Sequence, residues 1–309
     1  MRTILLILAC VALAGAAART GREIRVPVWD AQRSNGEGPA LTAAEMAVRI
    51  DGAEARVTTV LGSEAELLML LVTDMVGDIS LVKPAKEALT ARIRAFPSNV
   101  YVGLLQAQDG LRVLLDPATD REKVAAAIDS MPVSGKPGLL DTVVTAGKIA
   151  DSLQRKSRVR VAIVYVTDSD VRDYREDFTN PVVNWSDPHD MSRRFPDGLI
   201  REKISRIDAA LARIEAPLFI VHLDYRSDKL NEAYQSGLMQ LAVTCGGSSV
   251  FCRSTAEIPD SIQKMLETVV SSYRVDVELP ANVPKIVQVQ MESSGKTLSF
   301  RQRFVLESR

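Results

Sequence analysis

Two carboxylates in this sequence stand where their chemistry would count. Residues 67–72 form a continuous apolar run that ends in Thr73-Asp74, and residues 159–166, apolar apart from Arg160, read as a second buried strand that ends in Thr167-Asp168. An apolar run of this length, bounded by turn residues, fits a strand buried on both faces, as in a parallel sheet. Open α/β sheets bind ligands outside the carboxyl ends of such strands. Asp74 and Asp168 are therefore candidate binding residues, with Asp78 and Asp170 close by in the chain.

Other constellations read as follows. Asp168-Ser169-Asp170 begins like a calcium loop, but Arg172 and Asp173 stand where that loop needs an oxygen ligand and a glycine. Gly246-Gly247-Ser248-Ser249 lacks the Gly-Lys-Ser/Thr ending of a phosphate loop and reads as a helix end with glycine in the left-handed position. His222 sits in the apolar stretch 219–223 and reads as a satisfied core histidine. His189 has no serine or cysteine nucleophile context and reads as a surface-loop residue, so no enzyme is expected. Trp185, in the same loop, is either a cap over the sheet edge or a binding anchor. Cys245 and Cys252 flank a glycine turn and a short strand; they form either a disulfide or two buried thiols.

The elements that must position these groups follow from periodicity. Residues 23–28, 46–50 and 55–60 alternate, and Asp51-Gly52 between the last two is a hairpin signal. Helix spacing runs through 81–96, with Pro84 tolerable near the first turn. Strands are expected at 100–107 and 111–115. Thr119-Asp120 caps a helix through Met131, and 139–153 is helical. Residues 169–198 are the longest irregular stretch, rich in charge and proline, of a length that is usually functional or disordered. Beyond it come a helix with apolar positions from Ile200 to Ile214, a buried strand at 217–223, and helices at 229–243 and 258–273. From Tyr273 onward three stretches alternate with period two. Strand-only ends thus flank an alternating β/α middle, and the economical arrangement joins both ends into one small β module. The division expected is 19–63, 64–273 and 274–309, with 1–18 as a signal peptide.

That signal rests on Met1-Arg2, an apolar stretch over 4–13 and small residues over 14–18. The mature chain is expected to be extracytoplasmic, periplasmic or secreted, with no membrane span. Lipid anchoring at Cys10, in Ile7-Leu8-Ala9-Cys10, is the lesser alternative. The 309 residues carry a net charge of −1, which offers nothing to nucleic acid, and the two histidines exclude a His-rich metal site.

The middle, 66–273, resembles the von Willebrand factor A-like domain of secreted bacterial proteins. Asp74-Met75-Val76-Gly77-Asp78, with Ala85-Lys86-Glu87-Ala88-Leu89 after it, is similar to the family's Asp-x-Ser-x-Ser loop and first helix. Val161-Ala162-Ile163-Val164-Tyr165-Val166-Thr167-Asp168 resembles the strand that usually ends in Thr-Asp-Gly. Residues 238–247 resemble the segment Leu-x-x-Leu-Ala-x-x-Thr-Gly-Gly. The resemblance implies an α/β fold: a doubly wound, mostly parallel sheet with one antiparallel edge strand. It also implies a metal-ion-dependent adhesion site, where hard oxygens hold Mg²⁺ and leave a position open for a partner's carboxylate.

The implied ligand set is broken here. Val76 and Pro137 stand where the family has a serine and a threonine, while Asp74, Asp78 and Asp168 remain. The remnant is read as holding no tight Mg²⁺, with weak binding of a divalent cation as the alternative. Clustered carboxylates would repel, raising at least one pKa; Arg172, Arg175, Arg193 and Arg194 could neutralise them. The functional expectation is a protein–protein interaction or adhesion module. Its partner would bind at the C-terminal sheet edge and the 169–198 loop, with Asp170, Trp185, His189 and Arg193 as contact residues. The alternative is a structural or assembly module with a vestigial metal site, whose terminal β-strands make the contacts.

Overall fold

The computed structural model describes residues 22–30, 41–76, 78–174, 196–294 and 296–306. Trp185, His189 and Arg193 lie outside the described residues, as do Arg175, Arg194 and the expected signal peptide with Cys10.

The centre is a six-stranded sheet of β5 (Leu67–Asp74), β6 (Val100–Gln106), β7 (Arg112–Ala118), β8 (Arg160–Thr167), β9 (Leu218–His222) and β10 (Ser249–Phe251). Their order across the sheet is β10-β9-β8-β5-β6-β7. All neighbours are parallel except β7, which runs antiparallel to β6 at one edge. Continuous apolar strands are explained by cover on both faces. Met69 and Leu71 point into one core with α1 (Ile79–Arg94), α2 (Arg121–Ser130) and α6 (Ile258–Ser271). Leu70 and Val72 point into the other, with α3 (Leu139–Lys156), α4 (Pro196–Leu211) and α5 (Lys229–Thr244). The doubly wound, mostly parallel sheet is therefore present. Asp120 caps α2 as expected, accepting from the Lys123 N–H at 3.1 Å. Pro84 departs from expectation: α1 starts at Ile79, so the proline lies inside the helix rather than in its first turn.

The chain ends pair with each other. One antiparallel sheet has the order β13-β1-β11-β4, built from β1 (Glu23–Asp30), β4 (Val57–Leu61), β11 (Tyr273–Glu278) and β13 (Leu298–Phe300). A second has the order β14-β12-β2-β3, from β2 (Met46–Ile50), β3 (Ala53–Glu54), β12 (Ile286–Ser293) and β14 (Arg303–Val305). Both share a core that includes Val26, Val28, Ile50, Val275, Val289 and Phe304. Asp51-Gly52 does turn a hairpin, with φ of 50° and 83°, values that suit Asp-Gly. The strand after it is cut short, however. β3 pairs for two residues, and the chain then crosses to the other sheet as β4.

Candidate functional site

The register of β5 and β8 sets Asp74 opposite Thr167, so both candidate strand ends meet at one edge of the sheet. Asp74 is fully buried. Its carboxylate accepts from the backbone N–H of Gly138 at 2.9 Å and of Leu139 at 3.2 Å, and from the Thr167 hydroxyl at 3.2 Å. Gly138 is the N-cap of α3, so these are the unsatisfied donors at a helix start, which favour an anion. The close approach needs glycine: a Cβ on Gly138 would lie 1.9 Å from the Ala107 carbonyl oxygen.

Hydroxyls fill the rest of the space. Thr167 Oγ1 and Ser169 Oγ are 2.6 Å apart, and Ser169 Oγ is 3.1 Å from the Tyr234 hydroxyl. The Tyr174 hydroxyl accepts from the Leu140 N–H at 3.3 Å. Burial pushes the Asp74 pKa up to about 6, against the lowering effect of its hydrogen bonds. The expected rise of a carboxylate pKa thus occurs, but its leading cause is loss of water rather than repulsion between aspartates.

The other aspartates are spoken for in different ways. Asp168 Oδ1 accepts from the Val76 N–H at 2.7 Å. Asp78 faces solvent as the N-cap of α1, bonded to the Ser80 N–H at 2.9 Å and hydroxyl at 2.6 Å, which hold its carboxyl below the usual range. Asp170 pairs with Arg226 at 2.6 Å, and Arg226 Nε donates to Asp224 at 2.8 Å. The positive charge of Arg226 also lowers the Asp78 carboxyl.

Arg226 is the residue that the sequence reading missed. Neutralisation was sought in the 169–198 loop, whereas this arginine lies just beyond the end of β9. The rule that singled out Asp74 and Asp168, polar groups after a buried strand, applies equally to Asp224 and Arg226. Gln235 fixes the arginine backbone, accepting its N–H at 3.1 Å and donating to its carbonyl at 2.7 Å.

His222 is buried, with Nε2 2.8 Å from the Ser169 carbonyl and Nδ1 accepting from the Asp224 N–H at 3.3 Å. Burial pushes its pKa down to about 4, so it is the neutral core histidine expected. Of the two readings of the cysteines, the disulfide is not formed: Cys245 and Cys252 are both free and buried. Cys245 belongs to the core on the α3–α5 face and Cys252 to the core on the opposite face, so the sheet lies between them. The glycine turn does end α5, with Gly246 at φ 78°.

The ligand set Asp74, Asp78 and Asp168 is not brought together. No group of three or more acidic, histidine or cysteine side chains among the described residues is placed to hold a metal ion. Val76 and Pro137 offer no side-chain oxygen, Asp78 is committed to a helix cap, and Asp74 is enclosed by the chain's own donors. These residues do not fit the cation of a metal-ion-dependent adhesion site, which needs several neutral oxygens in near-octahedral array.

No family model matches the chain, and no curated protein matches it. Among solved structures, it is similar to a von Willebrand factor type A protein from Catenulispora acidiphila, at 13% identity and a TM-score of 0.47, covering 94% of this chain and 75% of that one. It is similar to the SpRpn10 VWA domain, at 15% identity and a TM-score of 0.37, covering 65% of this chain and 94% of that one. A third is proximal thread matrix protein 1 from the mussel byssus with a zinc-occupied MIDAS motif, at 9% identity and a TM-score of 0.46, covering 72% of this chain and 50% of that one. The class itself follows from strand order, the antiparallel edge at β7 and the strand-end position of Asp74: the fold is von Willebrand factor A-like.

Proposed function

We infer that this chain is a non-enzymatic protein-interaction module that docks its partner at the C-terminal edge of the central sheet, together with the 169–198 loop, and does so without Mg²⁺. The observation that carries this reading is that the carboxylates of the edge are answered by the chain itself. Asp74 is answered by Gly138 and Leu139, the Oδ1 atom of Asp168 by Val76, and Asp170 by Arg226. An edge organised in this way needs no cation to hold its loops in place. Ile79, 73% exposed at the start of α1, adds an apolar contact point beside it.

Assembly through the terminal strands is less well supported. Three of the four outer strands of those sheets, β3, β13 and β14, have two or three residues each, and the fourth, β4, has five; short edges pair poorly with other chains. No helix among the described residues is long and apolar enough to cross a membrane. We place the module in an extracytoplasmic compartment on the strength of the N-terminal pattern in the sequence.

A photo-crosslinking residue in place of Ile79, compared with one in place of Val243, tests the reading. Val243 is 62% exposed near the end of α5, at the opposite end of the sheet. The expected result is a discrete adduct from position 79 that persists in EDTA and disappears when residues 181–195 are deleted. Equal adducts from both positions, or loss of the adduct in EDTA, would count against it.

A further inference from the structure

At the N-terminal end of the central sheet, the start of β1, the end of α3, the turn after α4 and the turn between β13 and β14 enclose a cleft of about 150 Å³. Five arginines line it, Arg22, Arg25, Arg155, Arg213 and Arg301, against two glutamates.

Positive charge in the cleft is only partly answered. Arg301 is 3% exposed. Its guanidinium donates to the carbonyls of Ile214, Ala212 and Arg303 and stacks on Phe304, with its carbon 4.3 Å from the ring centre. All three acceptors are neutral. Burial holds this guanidinium below its ordinary pKa. Arg25 pairs with Glu215 at 3.0 Å, yet its Nε is buried with no hydrogen-bond partner. Arg155 is answered by Asp151 at 2.8 Å. The Arg213 side chain makes no hydrogen bond or ion pair among the described residues.

A guanidinium matches the oxygens of phosphate or carboxylate in paired hydrogen bonds. Here the arginines come from four separate chain segments. That spread suits a tetrahedral oxyanion, which accepts from several directions, better than a planar carboxylate. An anion would also add to the counter-charge that Glu215 and Asp151 supply to the buried guanidinium of Arg301, whose own hydrogen bonds all go to neutral carbonyls. We propose that this cleft is a binding site for a phosphate-class oxyanion, free or carried on a larger molecule. Its occupant would tie the terminal β-strands to the central domain, because its ligands come from both.

The test is calorimetric titration of inorganic phosphate into the full chain at constant ionic strength, with chloride as the balancing salt. The expected result is saturable binding that Arg213→Gln weakens about tenfold or more, the loss of one charge-assisted contact. That variant keeps the fold, since the Arg213 side chain packs at the surface without a partner. A second arm uses phosphatidylcholine vesicles with and without phosphatidic acid. Capture by the acidic vesicles, competed by phosphate, assigns the oxyanion to a lipid headgroup. Phosphate binding without capture assigns it to a free ion, and either outcome supports the site. Absence of saturable phosphate binding, or binding unchanged by Arg213→Gln, overturns the proposal.

Discussion

The carboxylate of Asp74 lies 2.9 Å from the backbone nitrogen of Gly138. The acid at the end of the central strand is thereby held by the first donors of a helix. The order of the C-terminal edge follows from this contact and from the arginine that pairs with Asp170.

Gly138→Ala should break the contact. The added methyl would overlap the Ala107 carbonyl, so the 134–138 loop must shift and withdraw the N–H groups of Gly138 and Leu139 from a buried carboxylate. Overpacking of this kind costs about 3 kcal/mol. Urea unfolding should show that loss, and a midpoint equal to that of the parent chain would contradict it.

Asp74 and His222 should give opposing pH dependences. The Asp74 pKa rises from 3.8 to about 6 on folding, so between those values the folded state holds a proton that the unfolded state releases. Its contribution is present at low pH and is lost as pH rises through about 6, by about 3 kcal/mol. The His222 pKa falls from 6.5 to about 4, so in the same window the unfolded state takes a proton that the folded state refuses. Its contribution is present at neutral pH and lost as pH falls toward about 4, by a similar amount. The parent chain should therefore vary little across the window. Asp74→Asn should leave stability rising with pH, and His222→Gln should leave it falling. Denaturant midpoints across the window decide; if neither variant tilts the profile, the burial account of these pKa values fails.

Cys245 and Cys252 should stay thiols even when the folded protein is held under oxidising conditions. Burial pushes the Cys245 thiol up to about 12, and the thiolate is the reactive form. Alkylation of the native protein should therefore be slow at Cys245 and fast once it is unfolded. Peptide mapping should find both cysteines modified without prior reduction; a linked pair of peptides would contradict the placement of the two residues on opposite sides of the sheet.

Much of this fold is legible in the sequence, and the reason is periodic burial. Strands covered on both faces leave apolar runs, so the stretches before Asp74 and Asp168 announce β5 and β8 directly. The terminal strands announce themselves by alternation, but not their partition into two sheets. Alternation fixes which face is buried, and the switch after the two-residue β3 depends on pairing with β11 and β12, far away in the chain. The site was legible at Asp74 and Asp168, which mark strand ends. Asp78 illustrates the limit: its spacing suits a ligand, yet the same position is the N-cap of α1, and the local helix donors claim it. Arg226 was overlooked because its link to Asp170 joins two loops that are adjacent only once β8 and β9 pair.

The central claim is that the sheet edge is held by the chain's own donors and by Arg226 in place of a metal ion. Calorimetric titration of the full chain with Mg²⁺ and then Mn²⁺ tests it most directly. The account predicts no saturable heat from either ion and the same thermal midpoint in EDTA as in Mg²⁺. Saturable micromolar binding that disappears on Asp168→Asn would contradict it.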